Sequence, residues 1–250
     1  MLRGKTVVVT RPAERAQAWV DAFAAAGANV VACPVIELSA VSGPSKKAAL
    51  SALGSFREQN GWLAFTSVPG VERATALLRE AALFAPAVTN ARVASVGPLT
   101  TRALTDEGWR VEVEPDESTA AALARQILVR DPKPRVVHPT SNRGRVELCR
   151  EVNAAGGECT QVVVYENSPR TDFTPREQRL LAGECDLLAF ASPTAVVACV
   201  AAAAGSRDLL QTPVVCVGET TAAAARADGF RDVRVATRPH AKDVVAAAAR

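Results

Sequence analysis

Short runs of β-branched residues alternate with alanine-rich stretches along nearly the whole chain. The runs occupy residues 6–10, 29–33, 63–66, 92–96, 111–113, 135–138, 159–165, 187–191, 214–217 and 233–236. The stretches between them carry apolar residues at helical spacing, as in residues 16–26 and 100–107. Several stretches are followed by a glycine that would end a helix, namely Gly27, Gly108, Gly156 and Gly229. Steady alternation of strand and helix predicts α/β architecture, with parallel sheets covered by helices on both faces.

The second half of the chain repeats the first. Residues 63–67 (LAFTS) are echoed by residues 188–192 (LAFAS), and residues 94–101 (ASVGPLTT) by residues 215–221 (VCVGETT). The segment from residue 8 to about 38 likewise resembles the one from residue 137 to about 168. With the segments labelled A and B, the chain reads A, B, A′, B′, which indicates duplication of one domain of about five strands, a flavodoxin-like number. The repeat leaves open which A pairs with which B.

The 250 residues suit two small domains or one large one, and the repeat favours two. Two such domains leave a cleft between them, where ligand binding is favoured. Because that cleft lies within one chain, a monomer is expected. The net charge is +3, with no cluster of lysine and arginine. The sequence therefore predicts no nucleic-acid partner, while a small polyanionic ligand is compatible with it.

The cysteines bear on the cellular compartment. The chain has six, and none forms a CxxC pair. Several fall in apolar runs, so reduced, buried thiols are expected. We find no signal peptide before the first strand-like run, and no apolar run of the ~18–20 residues that a membrane span needs. These features predict a cytoplasmic protein without a membrane partner, and they count against a two-domain receptor of the periplasmic kind.

Polar residues follow the predicted strands, where ligands bind to open parallel sheets and where helix N-termini expose unpaired N–H groups. Arg11 and Arg143 lie in two of these turns and can pair with carboxylates in a bidentate manner. The candidate ligand-binding residues are Thr10, Arg11, Thr66, Ser67, Gly97, Thr100, Thr101, Asn142, Arg143, Gly144, Ser192, Thr194, Gly218, Thr220 and Thr221. For each serine and threonine, simple capping of a helix is the alternative interpretation.

Motifs of several other enzyme classes are absent from the sequence. It contains no P-loop, GxGxxG, HExxH or serine nucleophile elbow, and no metal site or cofactor is predicted. His138 and His240 lack ligand-like spacing, and His138 ends a strand, where a packed or partly exposed side chain is expected rather than a catalyst. Tyr165 is the one tyrosine and ends an apolar segment. It is either a packed aromatic residue or a phenol that donates a hydrogen bond into the cleft.

Taken in order, the motifs resemble those of the uroporphyrinogen-III synthase family. The matching pieces are residues 7–12 (VVVTRP), 65–67 (FTS), 96–98 (VGP), 142–145 (NRGR), 164–165 (VY), 191–196 (ASPTAV) and 218–222 (GETTA). No single piece is specific, but the ordered set spans nearly the whole chain.

The resemblance implies two flavodoxin-like domains joined by a two-stranded connector. Segment A then pairs with B′ in a discontinuous domain of residues 1–36 and 168–250, and residues 37–167 form the second domain. The connectors lie near residues 33–40 and 161–169. These boundaries are expectations that come from the family.

The resemblance also implies the reaction. The family's substrate is hydroxymethylbilane, a linear tetrapyrrole with an acetate and a propionate on each pyrrole. Loss of its terminal hydroxyl as water gives an azafulvene, and ring closure through a spiro intermediate inverts the last pyrrole. The enzyme is a lyase of heme biosynthesis that needs no cofactor, and it acts mainly by positioning a reactive substrate. Tyr165 matches the family's tyrosine and is the candidate that assists departure of hydroxide.

The sequence departs from the family pattern at several turns. Ala191 stands where threonine is frequent, Thr140 where arginine is common, and Glu219 where proline is usual, while Val68 and Pro69 follow Ser67. The charge of Glu219 is mildly unfavourable beside a turn that binds carboxylates. These departures keep open a second interpretation, a non-catalytic relative that binds a tetrapyrrole or another small ligand for regulation.

Overall fold

The computed structural model describes residues 2–55, 61–85, 91–204 and 206–250. Within them the chain forms two compact units. Unit 1 comprises the chain up to Leu38 together with Ser168–Arg250, and unit 2 comprises Ser39–Asn167. No helix among these described residues is both long enough and apolar enough to span a bilayer.

The described strands and helices alternate as the sequence predicts. In chain order they are β1 (Thr6–Val9), α1 (Ala13–Ala25), β2 (Asn29–Ala32), β3 (Ile36–Ala40), α2 (Gly43–Ser55), β4 (Trp62–Phe65), α3 (Val68–Glu80), β5 (Arg92–Ser95), α4 (Pro98–Asp106), β6 (Val111–Val113), α5 (Ala120–Arg130), β7 (Arg135–Ser141), α6 (Glu147–Ala154), β8 (Glu158–Pro169), α7 (Pro175–Leu181), β9 (Leu187–Phe190), α8 (Pro193–Ala202), β10 (Val214–Cys216), α9 (Glu219–Ala227), β11 (Val233–Val235) and α10 (Ala241–Ala248). A short 3₁₀ turn covers Leu209–Gln211.

The sheet of unit 1 has five strands in the order β2-β1-β9-β10-β11, and every pairing is parallel. Renumbered within the unit, this is the flavodoxin-like order 2-1-3-4-5. Successive residues of β1 point to opposite faces, so Val8 joins one apolar cluster while Val7 and Val9 join the other. Helices cover both faces, which explains why the strand runs are apolar throughout.

The sheet of unit 2 has six strands in the order β3-β8-β7-β4-β5-β6. Strands β8, β7, β4, β5 and β6 pair in parallel. If β7 and β8 are counted first, this part of the sheet again has the order 2-1-3-4-5. Unit 2 is thus a circular permutation of the arrangement in unit 1, as expected when segment B precedes segment A′ along the chain. Strands β3 and β8, along which the chain passes from one unit to the other, are hydrogen-bonded neighbours.

The predicted α/β class with two flavodoxin-like parallel sheets is confirmed, and most strand ends fall within a residue of the predicted ones. The glycines expected after helices, for example Gly27 and Gly156, have φ angles of 86° and 87°, which residues with a side chain rarely adopt. Strand β7 is longer than predicted and continues through Pro139 to Ser141. Proline is tolerated there because β7 pairs with β4 only as far as Val137 and with β8 alone beyond it.

The expectation that all cysteines are reduced is wrong for two of them. Cys149 on α6 and Cys159 on β8 form a disulfide, with Cα atoms 4.9 Å apart. Their separation of 10 residues matches no familiar motif. They meet because the chain reverses at Gly156 and brings the start of β8 alongside α6. Cys33, Cys199 and Cys216 are free and buried, and Cys185 is free and half-buried.

Candidate functional site

In unit 1, the turn after β1 presents one arginine and uses one threonine internally. Thr10 is fully buried, and its hydroxyl donates a hydrogen bond to the carbonyl oxygen of Ala189 at 2.8 Å. This bond ties β1 to β9. Arg11 is half-buried, and its guanidinium carbon lies 4.8 Å from the centre of the Trp19 ring. Of the two predicted residues, Arg11 is therefore the one available to a ligand.

Burial lowers the pKa of the Arg11 guanidinium from its ordinary value, and the nearby positive charge of Arg15 lowers it further. An arginine remains charged nevertheless. A partly desolvated cation beside a second cation is a favourable partner for a carboxylate, because the carboxylate relieves both effects at once.

Hydroxyl groups mark the start of α8. The Ser192 oxygen caps the helix by accepting a hydrogen bond from the N–H of Ala195 at 3.2 Å. The same oxygen lies 3.0 Å from the hydroxyl of Thr194. Both side chains are half-exposed, so Ser192 and Thr194 form a hydroxyl pair at the carboxyl end of β9.

Helix α9 begins at Gly218 without a side-chain cap. Thr220 is exposed, whereas Thr221 is buried and packs into the helix interface. Glu219 forms an ion pair with Arg226. The negative charge of Glu219 is unfavourable for binding carboxylates when the sequence is considered alone. In the structure, the positive charge of Arg226 offsets it.

In unit 2, Thr66 and Ser67 follow β4 and have different partners. Ser67 caps α3 by accepting a hydrogen bond from the N–H of Gly70 at 3.2 Å. The hydroxyl oxygen of Thr66 lies 2.9 Å from Nε2 of His138, in the middle of the neighbouring strand β7. Thr66 is half-exposed, so its side chain faces a partner on one side and solvent on the other.

His138 is packed rather than partly exposed, the two possibilities that the sequence leaves open, and 1% of it is exposed. Its second ring nitrogen, Nδ1, is buried without a hydrogen-bond partner among the described residues. Desolvation lowers the pKa of the imidazole to about 4, so His138 is neutral at pH 7. The sequence pattern marks His138 only as a packed or partly exposed side chain. The overlooked signal is an imidazole within a strand, beside a neighbouring strand that is followed by the hydroxyl of Thr66.

The start of α4 places Gly97 against the segment that leads to α5. A Cβ atom on Gly97 would fall 2.2 Å from the hydroxyl of Ser118, so only glycine fits. Thr100 is buried. Thr101 donates its hydroxyl to Ser95 at 2.8 Å and also contacts Glu114. Thr100 is thus enclosed by protein, and the hydroxyl of Thr101 already has partners within the protein. Gly97 lets the backbone at the start of α4 pack closely against Ser118.

Asn142, Arg143 and Gly144 form the turn after β7. Asn142 accepts a hydrogen bond from the N–H of Asn167 at 2.8 Å, and its own N–H donates to the carbonyl oxygen of Tyr165 at 3.3 Å. These bonds fasten the turn to β8. Arg143 is exposed, and its guanidinium has no ion pair among the described residues.

Gly144 is required by the neighbouring Thr140. A Cβ atom on Gly144 would fall 2.1 Å from the Thr140 hydroxyl. Thr140 itself is buried, with 6% of it exposed. Thr140, where the family resemblance leads us to expect arginine, therefore packs tightly against Gly144 within this turn.

Tyr165 lies where the pairing of β7 and β8 shifts register. Thr140 is opposite Val163, but Ser141 is opposite Tyr165, so Val164 is the extra residue of a β-bulge. The bulge brings Tyr165 next to the 142–144 turn. Tyr165 is largely buried, and 7% of it is exposed. Its phenol has no hydrogen-bond partner among the described residues.

The structure therefore divides the predicted residues between two sheet edges. Unit 1 brings together Thr10, Arg11, Ser192, Thr194, Gly218, Thr220 and Thr221; unit 2 brings together Thr66, Ser67, Gly97, Thr100, Thr101, Asn142, Arg143, Gly144 and Tyr165. Within the described ranges, no group of three histidine, cysteine or carboxylate side chains is arranged to hold a metal ion. What each edge offers instead is helix N-termini, hydroxyls and an arginine, a combination that binds carboxylates.

Comparisons with known proteins agree on one family. The family model described as Uroporphyrinogen-III synthase HemD matches residues 17–246. A uroporphyrinogen-III synthase of Chlorobaculum parvum is 30% identical over 235 residues, which is 91% of this chain and 91% of the relative. Since the match covers nearly the full length of both proteins, the similarity is not confined to one unit.

Solved structures show the same fold. Uroporphyrinogen-III synthetase from Helicobacter pylori superposes with a TM-score of 0.67 at 17% identity, over 98% of each chain. A mutant uroporphyrinogen III synthase from Thermus thermophilus gives a TM-score of 0.64 at 20% identity, over 97% of this chain and 96% of the other. Together with the family model and the Chlorobaculum relative, they establish that the chain belongs to the uroporphyrinogen-III synthase family.

Proposed function

We propose that this chain closes hydroxymethylbilane into uroporphyrinogen III, with inversion of the last pyrrole and release of water. Family membership supplies the reaction. The observation that carries the proposal is the β-bulge that brings Tyr165 opposite Ser141, beside the turn that carries Arg143. The backbone of Tyr165 is thus paired with the turn that carries the exposed Arg143, in a protein whose family acts on a polycarboxylate.

The substrate carries a carboxylate pair on every pyrrole, and each sheet edge offers groups that bind carboxylates. We assign direct contacts to six predicted residues, all of them exposed or half-exposed, namely Arg11, Thr66, Arg143, Ser192, Thr194 and Thr220. Gly97, Gly144 and Gly218 would let the backbone approach the ligand. Thr10, Thr100 and Thr221 are buried and shape the turns.

The proposed reaction requires one proton donor from the protein. The bond between the terminal carbon and its hydroxyl breaks, the oxygen leaves with the electron pair, and the Tyr165 phenol delivers a proton so that water departs. The resulting azafulvene, still protonated on its pyrrole nitrogen, is attacked by the substituted carbon of the last pyrrole, which gives the spiro intermediate. Cleavage and re-formation of a carbon–carbon bond then invert that pyrrole. Loss of one ring proton restores aromaticity, and this proton returns to the phenolate, so that water is the one by-product.

Positioning then decides which product forms. A linear tetrapyrrole that closes without guidance joins its ends directly and gives the type I isomer. Multiple carboxylate contacts hold the chain of pyrroles in the geometry that leads to the spiro intermediate, and such an orientation effect can supply several kcal/mol. Hydroxyls and helix N-termini suffice for this task because they need only bind, not react.

The test is the isomer produced. Freshly prepared hydroxymethylbilane is incubated with and without the protein, the products are oxidised, and the type I and type III isomers are separated by chromatography. We expect type III in proportion to the protein added. Type I alone, together with retained ligand binding measured by calorimetry, would instead make the chain a binding relative without this activity.

We further propose that one chain acts alone in the cytoplasm, without nucleic acid or a membrane. The free, buried Cys33, Cys199 and Cys216 are compatible with a reducing compartment, whereas the disulfide between Cys149 and Cys159 is of a kind that is rare in such a compartment. Light scattering at assay concentration tests the first statement, because a mass twice that of one chain would contradict it. Fractionation of expressing cells tests the second.

A further inference from the structure

His138 and Thr66 form a polar pair at a place where the other unit is apolar. In unit 2, Trp62 is opposite Val136 and Leu63 is opposite Val137. In unit 1, Leu187 is opposite Val7 and Leu188 opposite Val8. Leu63 and Val137 of unit 2 therefore match Leu188 and Val8 of unit 1. Counting onward from these pairs, His138 corresponds to Val9 and Thr66 corresponds to Ala191. The repeat thus has an imidazole and a hydroxyl together in one copy, and neither of them in the other.

Packing alone does not require this histidine. Val9, its counterpart, is fully buried in an apolar cluster. Burial of an imidazole in the corresponding site of unit 2 has a free-energy cost, because one ring nitrogen is left without a partner. The other nitrogen, Nε2, lies 2.9 Å from the Thr66 hydroxyl. A functional hydrogen bond between these two groups would account for a buried histidine at this position.

The unpartnered nitrogen indicates which tautomer is present. If Nδ1 carried the proton, a buried N–H donor would be left without an acceptor, which is the rarer and more costly situation. If Nε2 carries the proton, Nδ1 is only an unused acceptor. In that tautomer Nε2–H donates to the oxygen of Thr66, and the oxygen becomes an acceptor in this bond. The Thr66 hydroxyl proton must then point elsewhere.

We propose that His138 is a positioning residue that donates a hydrogen bond to Thr66 and thereby turns the Thr66 hydroxyl into a dedicated donor for a substrate carboxylate. The proposal rests on the proposed function for the identity of that acceptor. Thr66 is half-exposed at the carboxyl end of β4, directly before the capped N-terminus of α3, a position where a carboxylate would bind. In unit 1, Ala191 has no hydroxyl to direct, and Val9 correspondingly has no donor.

The tautomer is tested without any substrate. The chain has two histidines, so protein labelled with ¹⁵N-histidine gives two sets of ring signals by NMR. The exposed His240 is assigned by the variant His240→Gln. We expect His138 to show a protonated Nε2 and a pyridine-like Nδ1 at pH 7. A protonated Nδ1, or rapid exchange between both forms, would overturn the proposal whatever the chain catalyses.

Kinetics test the link to the substrate. His138→Leu removes the donor, and we expect the KM for hydroxymethylbilane to rise about tenfold, with kcat little changed, because a contact made throughout the reaction is lost. His138→Gln keeps an N–H near the position of Nε2 and should restore the KM to within about threefold of the original value.

The double variant separates positioning from a general loss of structure. If His138 acts through Thr66, then His138→Leu combined with Thr66→Val has the same KM as Thr66→Val alone. Additive effects of the two changes would mean independent, structural roles and would overturn the proposal. Should the wild type make no type III isomer, the proposed function fails, while the NMR result still decides the tautomer.

Discussion

The guanidinium of Arg11 lies over the indole ring of Trp19, with its central carbon 4.8 Å from the ring centre. Trp19 is fixed, because α1 packs it into an apolar cluster of unit 1. The stacked ring therefore holds the guanidinium plane of Arg11 at the end of β1. Lysine would keep the charge in place of Arg11 but would lose both the flat stacking surface and the bidentate geometry.

We therefore predict that Arg11→Lys raises the KM for hydroxymethylbilane about tenfold, because a bidentate contact with a carboxylate becomes a single one. Steady-state kinetics at several substrate concentrations measure the change. Arg125→Lys is the matched control, since Arg125 is exposed on a helix in unit 2 and only loosely paired with Glu117. An Arg11→Lys variant with an unchanged KM would remove Arg11 from the proposed binding set.

Glu177 on α7 binds the segment that follows β8, and we predict that it stabilises unit 1. Its carboxylate accepts hydrogen bonds from Arg170 at 2.8 Å and from the N–H of Thr174 at 2.8 Å. Glu177→Gln weakens the charged bonds, and we expect a loss of about 2 kcal/mol in the free energy of unfolding. Urea denaturation measures it. Glu184→Gln, which removes the charge from an exposed ion pair, should change stability by less than about 0.5 kcal/mol.

The same carboxylate gives a pH dependence. The bonds from Arg170 and Thr174 lower the pKa of Glu177 to about 2 in the folded protein. An unfolded glutamate titrates near 4.3, so the unfolded state takes up the proton first as the pH falls. The contribution of Glu177 is complete above about pH 5 and is lost between about pH 4.3 and 2. Glu177→Gln should flatten this acid limb, and an unchanged limb in that variant would contradict the assignment.

His138 predicts a second pH dependence at milder acidity. Burial lowers its folded pKa to about 4, whereas an unfolded histidine titrates near about 6.5. Protons therefore bind the unfolded state preferentially between these values, and stability falls as the pH drops through this window. Between pH 7 and pH 5 the loss should be about 2 kcal/mol. His138→Gln should abolish this loss while His240→Gln retains it; equal loss in both variants would assign the effect to other groups.

The disulfide between Cys149 and Cys159 is predicted to stabilise unit 2. It closes a loop with a separation of 10 residues, and the entropy of the opened loop corresponds to about 3 kcal/mol. Reductant should therefore lower the unfolding midpoint of the wild type and leave that of the Cys149→Ala, Cys159→Ala double variant unchanged. Thiol titration of the unfolded, unreduced protein is the direct check. Six reactive thiols instead of the four that are free in the structure would contradict the bond.

Sequence periodicity predicts the elements of this fold well because both sheets are covered on both faces. Buried strands such as β4 and β9 are then apolar throughout and contrast sharply with the helices between them. Helix ends such as Gly27 are also readable, since a positive φ leaves few alternatives to glycine. The turn after β4 is predictable as well, because serine is a preferred residue at the start of a helix and Ser67 caps α3.

The parts that could not be predicted depend on specific pairings of side chains and of strands. The bond between Thr66 and His138 spans neighbouring strands that are far apart along the chain. The ion pair of Glu219 with Arg226 changes the meaning of a residue that looks unfavourable when read alone. The bulge before Tyr165 leaves no mark in composition, because Val164 is an ordinary strand residue. Each requires the register of strands or helices, which periodicity does not fix.

The central claim is that positioning by the sheet edges selects the isomer while the phenol of Tyr165 only assists the departure of hydroxide. The measurement that tests it most directly is the rate and the isomer ratio of the Tyr165→Phe variant, determined together with fresh hydroxymethylbilane. We predict a rate about tenfold lower, as expected for the loss of one proton donor that water partly replaces, with type III still the product. A variant that yields type I, or one that is as fast as the wild type, would contradict this division of roles.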